Sequence, residues 1–334
     1  MKAVILVSLF VPALLNVALQ GQVIRTLPYH LVREDPALEL LGEHFGLTEG
    51  PVWIPASENA ANGGYLLFSD CAANVIYKWQ PDAPLSVFLE KSGFTSRDNL
   101  SVGQQTIAGR LAILPIGSNG LALDPQCRLI ITAMADRTLV RLEKDGTRFS
   151  GPNVVVKSNG SIYFTDSVNG LGGGGDSPQR ELPYNGVYLA KDGKVTLLGG
   201  DRDHPGDFPN GIAFSPDEKT LYVTAGMKKT IAYDVLPDDT VANPRVFLEA
   251  GNDGMKTDNA GNVFQVNAVG RGEVLITALG GKRLGTIQLP QIGGEPRPRV
   301  CASNVAFGDV DGKGLYITSC THLFRLRLKS SGLR

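Results

Sequence analysis

The chain has 334 residues, 43% of them hydrophobic and 19% charged, with a formal net charge of −1. Its 32 Lys and Arg and 33 Asp and Glu are spread along the whole length, which argues against the one-sided basic face that nucleic-acid binding needs. The 40 Gly and 20 Pro fall in many small clusters, as they do in chains built of short strands and tight turns.

At the N-terminus, Lys2 precedes an uncharged apolar run from Ala3 to Leu15, and polar sequence begins near Gln20. Residues 1–20 read as a secretory signal peptide, since the run is short for a membrane span. The chain beyond it is expected as a single domain over residues 21–334, secreted or periplasmic/extracellular, with no stable membrane association after leader removal. Cys71, Cys127, Cys301 and Cys320 show no CxxC pair and no zinc spacing. They read as buried free thiols, with one disulfide left open by export.

An internal repeat dominates the rest. Glu49–Trp53 leads to Tyr65–Asp70, Val75–Trp79 and Leu85–Leu89. Asn119–Asp124 leads to Leu129–Ala133 and Thr138–Glu143. Asn153–Lys157 leads to Ser161–Asp166, Gly186–Ala190 and Val195–Leu198. Asn210–Ser215 leads to Thr220–Thr224, Thr230–Val235 and Arg245–Leu248. Asp253–Asp258 leads to Asn262–Val266, Val274–Thr277 and Leu284–Leu289. Ser303–Gly308 leads to Gly314–Thr318 and His322–Leu328. The segments are rich in Val, Ile, Tyr, Phe and Thr and carry no 3.6-residue apolar period. Six antiparallel units of up to four strands predict an all-β, six-bladed β-propeller. The sixth unit ends after three strands, so its exposed edge needs a partner. Ala37–Phe45 is expected to supply it and close the ring.

Eight motifs in register resemble the senescence-marker-protein/gluconolactonase/LRE-like family over about residues 37–330. They begin with Glu49-Gly-Pro-Val-Trp53 and Leu67-Phe-Ser-Asp70. Asn119-Gly-Leu-Ala-Leu-Asp-Pro125, Ser161-Ile-Tyr-Phe-Thr-Asp166 and Glu181-Leu-Pro-Tyr-Asn-Gly-Val-Tyr188 follow. Pro209-Asn-Gly-Ile-Ala-Phe-Ser-Pro-Asp217, Asp253-Gly-Met-Lys256 and Leu315-Tyr-Ile-Thr318 complete the set. The resemblance implies one divalent metal ion held by Glu49, Asn153, Asn210 and Asp253, and a lactone-opening activity. The residue types agree with this. Two carboxylates and two amide oxygens at one end of a channel make a hard, all-oxygen site that suits Ca²⁺ first, with Mg²⁺, Mn²⁺ or Zn²⁺ as alternatives. Asn119 and Arg148 are the candidate substrate contacts. Asp253 is the candidate general base, because the family match sets it both on the metal and beside the attacking water.

The family pattern breaks before the third unit. Only Thr147–Gly151 separate the Lys144-Asp145-Gly146 turn from Pro152-Asn153, too few for a fourth strand in unit two. Two function classes follow: a metal-dependent hydrolase of lactones, sugar lactones by resemblance, and a catalytically silent propeller that binds a ligand or protein. Phosphotriester hydrolysis is a variant of the first. The expected partner is a small-molecule lactone, and the oligomeric state is left open.

Overall fold

The computed structural model describes residues 18–19, 31–32, 36–56, 63–95, 102–107, 111–142, 153–167, 171, 176–178, 180, 184–201, 208–226, 228–251, 253–267, 272–290 and 301–333. The ordered elements are strands, with no α-helix among the described residues. They form a six-bladed β-propeller, as the repeat predicts.

Blade one contains Thr48–Ile54, Tyr65–Asp70, Val75–Trp79 and Ser86–Glu90 from the axis outward. Blade two contains Ser118–Leu123, Leu129–Ala133 and Thr138–Leu142, three strands among the described residues. Blade three is Asn153–Val156, Ile162–Asp166, Gly186–Lys191 and Lys194–Gly200, and blade four is Pro209–Phe214, Thr220–Ala225, Lys229–Val235 and Val241–Leu248. Blade five is Met255–Thr257, Val263–Asn267, Glu273–Thr277 and Arg283–Gln288. Blade six takes Asn304–Gly308, Gly314–Ser319 and His322–Arg327 from the C-terminal end, and its outer strand is Leu38–Glu43. That strand pairs antiparallel with His322–Arg327, Leu38 opposite Leu326 and Leu40 opposite Phe324. Glu39 adds an ion pair to Arg325 at 2.6 Å. The expected closure is therefore present.

Successive side chains of a strand point to opposite faces, and both faces of a blade are apolar. Each face is buried against the next blade. Trp53 and Phe68 of blade one pack against Tyr316 and Leu323 of blade six, with Trp53 stacked on Tyr316 at 5.6 Å. Leu67 and Ile76 pack against Leu121, Ile131 and Val140 of blade two. Tyr163 and Val187 of blade three meet Ile212, Leu221 and Val223 of blade four. Phe264 and Ile276 of blade five meet Val305, Phe307 and Ile317 of blade six. The six inner strands also contact one another in a closed ring, which leaves a narrow axial channel.

Three features add to or depart from the sequence expectation, the first of them the one disulfide it left open. Cys301 and Cys320 form a disulfide across a Cα–Cα distance of 5.6 Å, and Cys127 is exposed; of the four cysteines only Cys71 is a buried free thiol. A hairpin of Gln105–Ile107 and Leu111–Ile113 stands between blades one and two, where no strand was expected. Ala18–Leu19, at the end of the leader-like segment, pairs with Leu38–Glu39; the rest of residues 1–20 lies outside the described residues.

Asp239, in the turn between the outer strands of blade four, is 1% exposed. Its carboxylate accepts from Lys157 Nζ at 2.5 Å, Lys191 Nζ at 2.7 Å, Ser161 Oγ at 2.8 Å and Asn159 Nδ2 at 2.9 Å, while its carbonyl accepts from Tyr163 Oη at 2.6 Å. All five donors belong to blade three, so one residue clasps two blades. Burial works against the charge, but these donors outweigh it and hold the carboxyl well below its usual range. Asp239→Ala leaves two ammonium groups facing an empty acceptor, and should cost about 2–4 kcal/mol in urea unfolding at neutral pH. The native pKa is depressed. The contribution is therefore complete above the unfolded value of roughly 4 and is lost as pH falls towards the native one. The stability gap between wild type and Asp239→Ala should narrow in acid; a gap that stays constant would contradict the ionic origin.

Candidate metal and lactone site

At one end of the channel the inner strands begin, and the candidate residues stand at or just before those beginnings. Glu49 and Asn119 are second in their strands, Asn210 is second in Pro209–Phe214, and Asn153 opens Asn153–Val156 opposite Thr165. Asp253 lies two residues ahead of Met255–Thr257. Local irregularity aims two of these side chains. The ladder slips between Glu49 and Val52 and again between Pro209 and Ile212, and a bulge of this kind turns the side chain beside it out of the sheet alternation. Gly50 makes the first slip possible. Its φ is +46°, and a Cβ there would lie 2.0 Å from the Asn119 carbonyl oxygen. Only glycine fits that approach.

Asn210 and Asp253 meet directly, Asn210 Nδ2 donating to Asp253 Oδ1 at 3.0 Å. The same oxygen accepts the Gly254 N–H at 3.1 Å. Glu49 is 5% exposed, and its Oε2 accepts from Gly50 N at 3.1 Å and Asn304 Nδ2 at 3.2 Å. Burial raises the Glu49 carboxyl to about 7, against the pull of those two donors. Burial first, and the Glu49 charge second, push Asp253 well above its usual range. Both carboxylates also raise the Cys71 thiol, after burial. Two acids thus share one desolvated volume, and among the described residues no cation contributes to either. Asn119 Oδ1, at the head of blade two, is buried with no hydrogen-bond donor among the described residues.

These observations fit a bound cation. Carboxylates held in a desolvated place without a counter-charge, Glu49 buried and Asp253 half-buried, lower their free energy when a positive ion takes the centre. The donors are hard oxygens, which suit Ca²⁺, Mg²⁺ or Mn²⁺ better than Zn²⁺. Among the described residues no group of three or more His, Cys, Asp or Glu could hold a metal, so a site here depends on amide oxygens as well as the two acids. Arg148 lies outside the described residues, and so does the side chain of Asn153. Asn304 was missed by sequence reasoning. It opens blade six as Asn119 opens blade two, each after a serine, and aligning Ser303-Asn304 with Ser118-Asn119 would have found it.

Comparison with known proteins agrees with the fold. The family model described as the SMP-30/Gluconolactonase/LRE-like region matches residues 47–321. A gluconolactonase of Zymomonas mobilis subsp. mobilis is 30% identical over 323 residues, spanning 88% of this chain and 82% of the relative. The solved structure of a gluconolactonase from Xanthomonas campestris superposes with a TM-score of 0.71 at 25% identity, covering 96% of this chain and 99% of that one. A luciferin-regenerating enzyme superposes with a TM-score of 0.60 at 18% identity, over 89% of this chain and 97% of that one, a likeness of fold.

The raised Glu49 pKa sets a pH dependence. The metal-free folded state binds this proton more tightly than the unfolded chain does. The associated stability is complete below the unfolded value near 4.5 and is lost as pH rises through about 7. Thermal melts in chelator should show wild type losing stability relative to Glu49→Gln between about pH 5 and about pH 8. Parallel curves would mean that Glu49 is not the strained acid.

Proposed function

Because the chain belongs to the SMP-30/gluconolactonase/LRE-like family, we propose that it is a divalent-metal-dependent hydrolase of lactones, sugar lactones among them. The observation that carries this reading is the pair of buried Glu49 and half-buried Asp253 at the channel mouth, each acid raised by desolvation and, among the described residues, neither neutralised by a cation. A divalent ion held by Glu49, Asn153, Asn210 and Asp253, Ca²⁺ first, would neutralise the pair and polarise the lactone carbonyl.

The protein's own part is positioning and proton transfer. Asn210 Nδ2 and Gly254 N both bind Asp253 Oδ1, so the carboxylate is held in one orientation. Oδ2 has no hydrogen bond from a described group and is the oxygen assigned to the proton. It takes a proton from the attacking water as that oxygen bonds to the carbonyl carbon. When the ring C–O bond breaks, Asp253 returns the proton to the departing ring oxygen, leaving a hydroxy acid. Asn210 and Asn153 cannot replace it, since an amide does not accept a proton near neutrality. Asn304 keeps Glu49 oriented across the channel. Asn119 Oδ1, which has no donor among the described residues, suits a substrate hydroxyl, and Arg148 is retained as a second substrate contact. The Cys301–Cys320 bond supports export, because such bonds persist in oxidising compartments.

A second reading, a silent binding propeller, is favoured by the second blade, which has three strands among the described residues. Proton release on a panel of lactones and phosphotriesters, with and without chelator, separates the two. Turnover abolished by chelator and restored by Ca²⁺ is expected; no turnover on any ester with metal bound would leave the binding reading. Asp253→Asn keeps an oxygen ligand. It should retain much of the metal and lose at least about 100-fold in turnover. Glu49→Gln should weaken metal binding and recover activity at high metal. Activity of Asp253→Asn within a few-fold of wild type at saturating metal would remove Asp253 as the base.

A further inference from the structure

The Cys301–Cys320 bond joins two segments that lead straight into the channel mouth. Cys301 comes just ahead of Asn304, the first residue of the inner strand of blade six. Cys320 follows Gly314–Ser319, and its carbonyl accepts from the N–H of Thr48, the neighbour of Glu49, at 2.6 Å. Ser303 N–H donates to the Thr318 carbonyl at 3.0 Å, and Ser303 Oγ donates to the Thr48 carbonyl at 2.7 Å. Ser319 N–H donates to Thr48 Oγ1 at 3.1 Å, and Ser319 Oγ donates to the Cys301 carbonyl. Thr48, Ser303 and Ser319 are all buried. These bonds converge where Asn304 Nδ2 donates to Glu49 Oε2 at 3.2 Å. One covalent tie therefore stands behind the contact that orients an acid of the candidate site.

The tie also sits at the seam that closes the ring. Phe45 N–H donates to the Thr321 carbonyl at 3.2 Å, so the closing segment hangs on the same turn. Without the covalent bond, that turn keeps its hydrogen bonds and a small apolar cluster with Leu47, Cys71 and Ile113. The paired strands of blade six stay in register, so the fold outlasts the bond while the channel mouth loosens. We propose that the Cys301–Cys320 bond is a redox-controlled brace of the metal site. Oxidised, it holds Asn304 against Glu49; reduced, it lets the two part and lowers the affinity for a divalent ion. The inference rests on the metal reading above and adds its regulation. A dithiol is the reductant. Cys320 is buried and Cys301 half-buried, so the dithiol's thiolate attacks the Cys301 sulfur and releases the Cys320 thiolate. The second thiol then displaces Cys301 from the mixed disulfide and closes the reductant's own S–S bond. Two electrons and two protons pass to the protein, leaving two cysteine thiols.

Calcium titration of the whole protein by calorimetry, before and after treatment with dithiothreitol and desalting, reads the effect. Affinity should fall at least about tenfold on reduction, the scale seen when a group that orients a metal ligand is lost. Amide exchange at Thr48 and Ser303 should quicken in the reduced protein, with thermal melts showing that it remains folded at the titration temperature. Cys301→Ser/Cys320→Ser should bind as reduced wild type does and ignore the dithiol. Asn304→Ala keeps the disulfide and should weaken calcium binding to a similar degree. Should the reduced protein unfold, Asn304→Ala decides: wild-type affinity in that variant overturns the proposal. Equal calcium affinity in oxidised and reduced wild type also overturns it, and leaves the metal reading standing. No calcium bound in either state removes the metal reading, and this inference with it.

Discussion

Blade six lacks an outer strand of its own, and Leu38–Glu43 supplies it from the other end of the chain. The rest of the molecule depends on that pairing. A single blade has two apolar faces and cannot bury both, so each blade is stable only between two neighbours. Leu41 of the closing strand and Phe45 just beyond it also enter the cluster of Trp53, Phe68 and Tyr316, so the closing segment fills the seam that it seals. Once the ring is shut, the inner strands have no freedom to spread, and the channel width is set.

That width makes the site costly and useful at once. Glu49, Asn119, Asn210 and Asp253 are each followed by glycine, and the glycine lets the next inner strand come close. A Cβ on Gly211 would sit 2.2 Å from the Asp253 carbonyl oxygen, and one on Gly254 would sit 2.0 Å from the Asn304 side chain. The residue that gives each motif its second letter therefore brings the acids into one desolvated volume. The burial between blades offsets the cost of holding Glu49 and Asp253 together without a counter-charge. Blades three and six have Val154 and Val305 in that place.

The repeat made the blades, their order and the closing strand legible before any coordinates, because strand period and turn chemistry are local properties. The ends of the inner strands were legible for the same reason, and Glu49, Asn210 and Asp253 fall where the motifs put them. Contacts between distant segments were not legible. Nothing local in Cys301 and Cys320 marks them as partners; the fold brings together a lead-in to one strand and the end of the next. Asp239 reads as an ordinary turn residue in Pro-Asp-Asp-Thr, and its role appears only when blade three lies beside it.

The shortened second blade tests how far function depends on each strand. Among the described residues it has three strands and no fourth, outermost one, and the cluster it shares with blade three has Ala122, Ile130, Leu139 and Val154 as its buried members. The inner strand is held by other means. Ser118–Leu123 pairs with Leu129–Ala133, Asn119 N donates to Thr132 Oγ1 at 3.3 Å, and Gly50 of blade one packs against the Asn119 backbone. Each of these contacts lies on the channel side of the blade. The loss therefore falls on packing at the rim of the disc, where the neighbouring blade three is secured by the Asp239 clasp. It leaves Asn119 where the channel needs it. A propeller sheds outer strands at a cost in stability while its axial site stays defined, because the side chains at the axis are positioned by inner strands that brace one another around the ring.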